Sequence, residues 1–214
     1  MNSKFMKKVF EYTYLFVIGC IAGYLFEVAF YFLKHGIFFN KKGLVFGTFK
    51  PLYGFGMIIM NILLNPVKNK GFFTKYVFGC IIGTVFEYVA SLILEYSLGI
   101  SSWDYSKFRY SLGGRIYIPY CFFWGFLAIA WIDYGYPFII RQLDRINRKV
   151  YNILAIFLII FMTFNFSLTV IICDRVSERA RKEPAVNIFD KFVDKYYPKD
   201  VVKKKLPQLT VIKK

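Results

Sequence analysis

Long apolar runs separated by short polar segments, most of them basic, follow one another along the chain. They predict five transmembrane helices, and the list of spans is about 13–33, 51–64, 76–98, 116–140 and 151–172. The hydrocarbon core of a bilayer is crossed by about 20 apolar residues. The second run is shorter than that, which points to a broken or tilted helix near a binding site. We predict an all-α polytopic membrane bundle.

The two ends of the chain differ from this membrane domain, 13–172. Residues 1–12 form a basic segment, and residues 173–214 form a polar, basic tail. Six apolar residues between Ile188 and Tyr197 recur at the spacing of one helix face. The tail therefore contains either an amphipathic helix on the lipid surface or a partly disordered segment.

One stretch of the chain occurs twice. Gly19–Glu27 and Gly79–Glu87 share the order Gly-Cys-Ile-x-Gly-x-x-Phe-Glu, and each is followed by a connector and a proline-led helix. One helix separates the copies, so both run in the same direction through the membrane. We predict an internal parallel two-helix repeat. The connectors, 34–50 and 99–115, then lie on one face of the membrane together with the tail.

Composition narrows the function classes. The chain is 57% hydrophobic and carries a net charge of +16, with its basic residues in the tail and beside the apolar runs. This distribution suits anionic lipid headgroups, and nucleic acid is not an expected partner. Four cysteines without a C-x-x-C pair and a single histidine, His35, leave no pattern for a metal site or a cofactor.

Glu27 and Glu87 are the main candidate site residues. An ionised side chain inside a membrane span is costly unless it is paired or faces water, so it suggests a functional site. The pair would serve a cation, a proton or a basic group of a substrate. The alternative is structural, with both acids holding helices together through hydrogen bonds. The repeat predicts that both face a common centre at equal depth, with Tyr53 and Trp124 beside them.

A second group of candidates lies in the loop before the fourth span. Trp103, Asp104 and Arg115 offer an aromatic ring, an acid and a base at a span boundary. Arg115 could pair with Asp104, clamp an anionic group, or serve as the base beside the two glutamates. Interfacial anchoring explains the same residues equally well.

These residues resemble a family of small bacterial membrane proteins, the CmpB-like "putative ABC-transporter type IV" permeases. The resemblance covers about residues 14–140, and the spacing between Trp103-Asp104-Tyr105-Ser106 and Gly114-Arg115-Ile116 is its most specific part. The other matching positions are Gly23-Tyr24, Glu27, Asn40, Lys42-Gly43-Leu44, Gly47, Pro51, Tyr53-Gly54-Phe55-Gly56, Glu87 and Trp124-Gly125. Through the connector motif, Asn40 joins the substrate-binding candidates.

The resemblance departs from the family pattern at three points. The connector is one residue longer and has Lys42 in place of arginine, Thr48 stands in place of proline, and Ser111 stands in place of asparagine. The polar site on that side is therefore expected to differ from the family's.

The resemblance implies a multi-pass protein of the bacterial plasma membrane that moves a small, unidentified substrate. The chain has no phosphate-binding loop, so an ATPase would be a separate subunit. Five short helices enclose little room, which predicts a homo- or hetero-oligomer. No catalytic residue and no enzyme activity are expected. The alternative function is a non-transporting membrane scaffold or regulator whose buried acids are structural. An intramembrane enzyme using Glu27, Glu87 and Asp104 is the least favoured reading.

Overall fold

The computed structural model describes residues 3–212. Its helices are α1 (Ser3–His35), α2 (Pro51–Leu64), α3 (Phe72–Leu98), α4 (Ile118–Ile129), α5 (Tyr136–Leu143), α6 (Arg148–Ala180), α7 (Ile188–Tyr196) and α8 (Lys199–Lys205). Four two-residue strands accompany them: β1 (Ile100–Ser101), β2 (Ser111–Leu112), β3 (Ile116–Tyr117) and β4 (Thr210–Val211).

Four helical segments are long and apolar enough to cross a membrane: Lys4–His35, Phe72–Leu98, Ile118–Leu143 and Arg148–Ala180. The predicted all-α membrane bundle is confirmed. Helix α2 begins and ends at the predicted residues, but its 14 residues rise only about 21 Å, less than the roughly 30 Å hydrocarbon core. A 3₁₀ turn, Asn65–Val67, extends it slightly. Whether this helix crosses the membrane fully remains a prediction.

Helix α1 packs on α2 in the same way as α3 packs on α4. A Cβ atom at Gly23 would overlap the Tyr53 ring, and one at Gly83 would overlap the Trp124 ring. The neighbouring contacts correspond as well: Gly54 lies against Cys20 and Phe16, and Gly125 lies against Cys80 and Tyr76. Each pair of helices is therefore joined by small residues that let a large aromatic ring lie directly on the opposite backbone.

The third long segment is interrupted by a π-helical turn, Ala130–Gly135, between α4 and α5. Pro137 follows two residues later. Since proline has no N–H and its ring clashes with the carbonyl of the preceding turn, an α-helical ladder cannot continue regularly through this point. The wider turn absorbs the disruption within one span.

Helix α6 holds the first connector inside the protein. The side chain of Asn165 accepts a hydrogen bond from the Phe46 backbone N–H (3.1 Å) and donates one to the Phe46 carbonyl (2.8 Å). The Val45 N–H donates to the Thr169 hydroxyl (3.2 Å). Leu44 and Val45 are buried, at 1% and 2% exposure. Non-helical backbone at this depth is tolerated because its polar groups are satisfied by protein.

The C-terminal segment returns to the bundle. Helix α7 begins with a capping box between Asn187 and Asp190 and packs on α6. Strand β4 pairs antiparallel with β1, with Ile100 opposite Val211. The six apolar positions predicted to form one lipid-facing surface are divided. Val193 and Tyr197 are buried against α6, and the others are exposed: Ile188, Phe189, Phe192 and Tyr196.

The tail and both connectors meet at one end of the bundle. Gln208 of the tail bonds Lys50 of the first connector, and β4 bonds β1 at the start of the second. Their placement on one face of the membrane remains a prediction. A small two-stranded ribbon, β2–β3, completes the second connector, with Ser111 opposite Tyr117.

Candidate functional site

A cavity of about 870 Å³ opens between α1, α3, α4 and α6, next to the two connectors. Five predicted site residues line it, and they are Glu27, Tyr53, Glu87, Trp103 and Trp124. The remaining lining is largely apolar. A concave, mainly apolar space with a few converging polar groups is the usual form of a small-molecule site.

Glu27 is held by a built-in cation. The Lys50 ammonium lies 2.5 Å from its Oε1 atom, and the side chains of Glu27 and Lys50 are 22% and 10% exposed. The Tyr53 hydroxyl is within hydrogen-bonding reach of the same carboxylate. Lys50 also donates to the Gln208 Oε1 atom at 2.9 Å. One ion pair therefore links α1, the first connector, α2 and the tail.

Lys50 carries its charge in an unfavourable place. Burial lowers the pKa of its ammonium, and the neighbouring Glu27 carboxylate opposes that shift. The Lys41 ammonium adds a smaller repulsion in the same direction as burial. The Glu27 carboxylate thus offsets part of the cost of burying the Lys50 charge.

Glu87 is more deeply buried, at 6% exposure, and its partners are neutral. Its Oε1 atom accepts a hydrogen bond from the Tyr105 hydroxyl (3.2 Å), and its Oε2 atom accepts one from the Trp124 indole N–H (3.1 Å). Among the residues that the structure describes, no Lys, Arg or His forms an ion pair with Glu87.

The two carboxylates act on shared neighbours. The pKa of the Tyr105 hydroxyl is raised by burial, and the charges of both Glu87 and Glu27 add to that effect. Tyr53 likewise lies in the field of both carboxylates. Two acids from the two copies of the repeat therefore face one space. Their equal depth and a two-fold relation between the copies remain predictions.

Three predicted site residues lie outside this cavity. Asp104 is exposed and accepts a hydrogen bond from the Ser106 N–H (2.8 Å). This bond, together with the Ser106 side chain, holds the pKa of the Asp104 carboxyl below its usual range. Arg115 forms an ion pair with Glu95, and bonds the Ser91 hydroxyl (3.0 Å). Asn40 is exposed and accepts from the Lys42 N–H (3.2 Å).

The predicted partners of Arg115 were therefore wrong. Its ion-pair partner is neither Asp104 nor the glutamate pair but Glu95, which lies about two helical turns beyond Glu87 on the same helix. The base beside the glutamates is Lys50, which the sequence reasoning did not select.

Sequence reasoning also missed Tyr105 and Gln208. Tyr105 lies within the Trp-Asp-Tyr-Ser motif, from which only Trp103 and Asp104 were selected as site candidates. Its hydroxyl donates a hydrogen bond to Glu87. Gln208 is brought to Lys50 by the fold of the tail, 158 residues away in sequence. A contact between residues so far apart in sequence leaves no periodic pattern in the chain.

A second ion pair lies elsewhere in the bundle, between the buried Lys75 and the exposed Asp133. The Lys75 ammonium contacts both carboxylate oxygens of Asp133, at 2.6 and 2.5 Å. Asp133 belongs to the π-helical turn, which turns its side chain toward α3. This intramembrane acid is compensated within the chain, as Glu27 is.

Within residues 3–212, no group of three or more His, Cys, Asp or Glu side chains could hold a metal ion. No curated protein and no solved structure matches the chain significantly. A family model does match, over residues 14–170. This range includes two of the four long helical segments completely and most of the other two, together with both connectors and both glutamates. The chain belongs to the family described as "Putative ABC-transporter type IV".

Proposed function

We propose that the protein is the membrane subunit of an ABC-type transporter and that the Glu27–Glu87 cavity holds its small substrate. The observation that carries this is the meeting of two intramembrane carboxylates, one from each copy of the repeat, in one cavity beside aromatic rings. Charged groups at such a depth usually mark a transport pathway. The family supports the class of protein, and the cavity supports the position of the site.

An ATPase on a separate chain would supply the energy. Its expected contact region is the end of the bundle that carries the connectors, α7 and α8, since these polar elements extend beyond the apolar segments. We expect the purified full-length protein to bind a P-loop ATPase from its own cells and to change the rate of ATP hydrolysis. Purification without any such ATPase would overturn the proposal.

Charge-removing variants test the site within this function. Glu27→Gln and Glu87→Gln should keep the ATPase bound and abolish the substrate-dependent change in ATP hydrolysis. Asp104→Asn is the matched control, because Asp104 is exposed and outside the cavity. If Asp104→Asn had the same effect as the two glutamate variants, the cavity would not be the substrate site.

A non-transporting scaffold is the second candidate, and the Glu27 contacts favour it. The Glu27–Lys50–Gln208 chain of contacts ties together three parts of the structure, as a structural acid would. Under this function, both glutamate variants should lower the melting temperature in detergent. Under transport, Glu87→Gln should leave the melting temperature nearly unchanged while activity is lost.

A further inference from the structure

The two copies of the repeat differ in charge. Each glutamate has an aromatic residue of the paired helix beside it: the Tyr53 hydroxyl is within reach of Glu27, and the Trp124 indole N–H donates to Glu87. Only Glu27 also has an ammonium group, which is supplied by Lys50. The second copy therefore has the equivalent aromatic contact but no positive charge beside its glutamate.

The sequence of the second copy explains the difference. When Tyr53-Gly54 is placed on Trp124-Gly125, as their matching glycine contacts require, Lys50 falls on Cys121. The Cys121 thiol points to the carbonyl of Tyr117 at 3.9 Å and has no charge to offer. Arg115, the nearest basic residue before it in sequence, is engaged by Glu95.

An ionised carboxylate buried as deeply as Glu87 is costly without a counter-ion. Two neutral hydrogen bonds reduce this cost but leave the charge itself unbalanced. The missing charge can come from a proton or from a bound cation. The surroundings of Glu87 favour a bound cation, because a proton would not require a ring-lined cavity beside this carboxylate.

Aromatic rings surround this space. Tyr53, Trp103, Tyr105, Tyr120 and Trp124 all line the cavity. Faces of tryptophan and tyrosine attract organic cations, and the attraction increases when the cation is removed from water. Beyond these rings much of the lining is apolar, with Phe26, Phe123 and Leu127 among its residues, and besides Glu87 its charged residues are Glu27, Lys34, Lys41, Lys42 and Lys50.

We infer that the cavity binds an organic monocation with an apolar body, and that its charged group lies against Glu87. The inference rests on the proposed function and names its substrate class. The bound cation takes the place that Lys50 occupies beside Glu27. A volume of about 870 Å³ is within the range of sites that hold such molecules.

Three lysines also line the cavity, and their positive charges repel a cation: Lys34, Lys41 and Lys42, called the edge lysines below. The Lys41 ammonium lies over the Tyr31 ring, at 4.4 Å from its centroid. Lys34 is exposed and Lys41 and Lys42 are partly buried, so salt screens their charges more than it screens the buried Glu87 charge. The edge lysines therefore act on the rate at which a cation arrives more than on its affinity.

Two size-matched ions of opposite charge test the inference. Purified full-length protein in detergent is dialysed against radiolabelled tetraphenylphosphonium, with protein-free micelles as the blank. We expect saturable binding of tetraphenylphosphonium. Tetraphenylborate, which has the same shape and a negative charge, should show no saturable binding above the blank.

Variants assign the binding to Glu87. Glu87→Gln should weaken tetraphenylphosphonium binding at least tenfold, Glu87→Asp should retain most of it, and Asp104→Asn should leave it unchanged. Trp103→Leu, which removes a ring without touching Glu87, should weaken it several-fold and serves if Glu87→Gln does not fold. Melting temperatures of all four variants are measured alongside.

Three results would overturn the inference: no saturable tetraphenylphosphonium binding, equal affinity in Glu87→Gln and the unchanged protein, or stronger binding of tetraphenylborate. The first, with an intact protein, would mean that Glu87 holds a proton only. The third would mean that the edge lysines select an anion. Cation binding without any ATPase partner would instead sink the proposed function alone, and ATPase coupling without cation binding would sink this inference alone.

Discussion

Lys50 lies where three parts of the molecule meet. Its backbone N–H donates to the Cys20 carbonyl of α1 (3.0 Å), its ammonium pairs with Glu27, and the same ammonium donates to Gln208. The following residue, Pro51, opens α2. A lysine at a helix N-terminus is unfavourable for the helix dipole, so its place depends on the Glu27 carboxylate.

Removing the Lys50 charge alone should destabilise the protein. Lys50→Met leaves Glu27 buried without its counter-ion, which costs about 3 kcal/mol in comparable pairs. We expect a clearly lower melting temperature in detergent. The double variant Lys50→Met/Glu27→Gln should recover much of the loss, because neither charge then remains unpaired. Additive losses in the double variant would show that the pair is not coupled.

At this scale the sequence identified the acids and the rings of Tyr53 and Trp124 beside them, but it missed Lys50 and Tyr105. Glu27 and Glu87 stand out because carboxylates within apolar runs are rare. Lys50 resembles the many basic residues that flank membrane spans, which normally reach toward headgroups, so its own chemistry did not distinguish it. Asp104, Glu95 and Glu87 all precede Arg115 in sequence, and Glu95 is nearer to it than Glu87 is. Only the fold decided among them.

The helix pairs show how small residues position the site. Glycines of α1 and α3 receive the rings of Tyr53 and Trp124, whose polar atoms then reach Glu27 and Glu87 one turn further along the same helices. Close helix approach and carboxylate recognition are thus carried by the same side chains. The duplicated pattern of glycine followed by glutamate has its physical reason in this geometry.

A methyl group at these glycines should separate the helices. Gly83→Ala places a Cβ atom inside the Trp124 ring, and Gly23→Ala does the same with the Tyr53 ring. Overpacking of this kind costs about 1–3 kcal/mol. We expect both variants to melt at lower temperature. The Gly83 variant should also show altered tryptophan fluorescence, since the indole must move.

Gly71→Ala is the matched control for these variants. No atom lies within 4 Å of a Cβ built at Gly71, and its backbone φ of −63° suits any residue. Its melting temperature should be unchanged. Equal losses in all three variants would mean that the ring contact does not determine the effect, since alanine favours a helix more than glycine does.

The helices differ in how far the sequence predicted them. Helix α2 lies on the apolar run given as about 51–64, where Pro51 opens the helix and Asn65-Pro66 begin a 3₁₀ turn. Helix α7 was one of two alternatives for the tail, and the surface it contacts depends on α6, against which Val193 and Tyr197 are buried. The π-helical turn was not predicted. Pro137 signals a disruption, yet the form that absorbs it depends on the packing around Asp133 and Lys75.

Across the whole molecule, one end of the bundle is fastened by charge. Arg175, at the end of α6, pairs with Asp194 of α7 (2.8 Å) and with Glu178 (2.9 Å). Its side chain is only 4% exposed. The hydrogen bonds from Arg175 hold the pKa of the Asp194 carboxyl below its usual range, and the Asn187 N–H does the same for Asp190.

Acid should therefore release α7. A carboxyl whose pKa is lowered by folding contributes stability above its unfolded pKa, about 3.9, and loses that contribution as the pH falls through its lower folded pKa. We expect cleavage by pepsin within α7 to increase steeply below about pH 4. Asp194→Asn should already be cleaved at pH 5, where the unchanged protein resists. Identical cleavage of both proteins at pH 5 would contradict this role of Asp194.

The contact of Gln208 with Lys50 has a thermodynamic consequence. The tail and the cavity share one ammonium group, so a ligand that alters the Lys50–Glu27 pair also alters how firmly the tail is held. Such coupling is reciprocal: whatever factor a ligand applies to tail docking, tail docking applies to the affinity of the ligand. A protein that binds residues 206–212 would thereby change the occupancy of the cavity without contacting the ligand inside it.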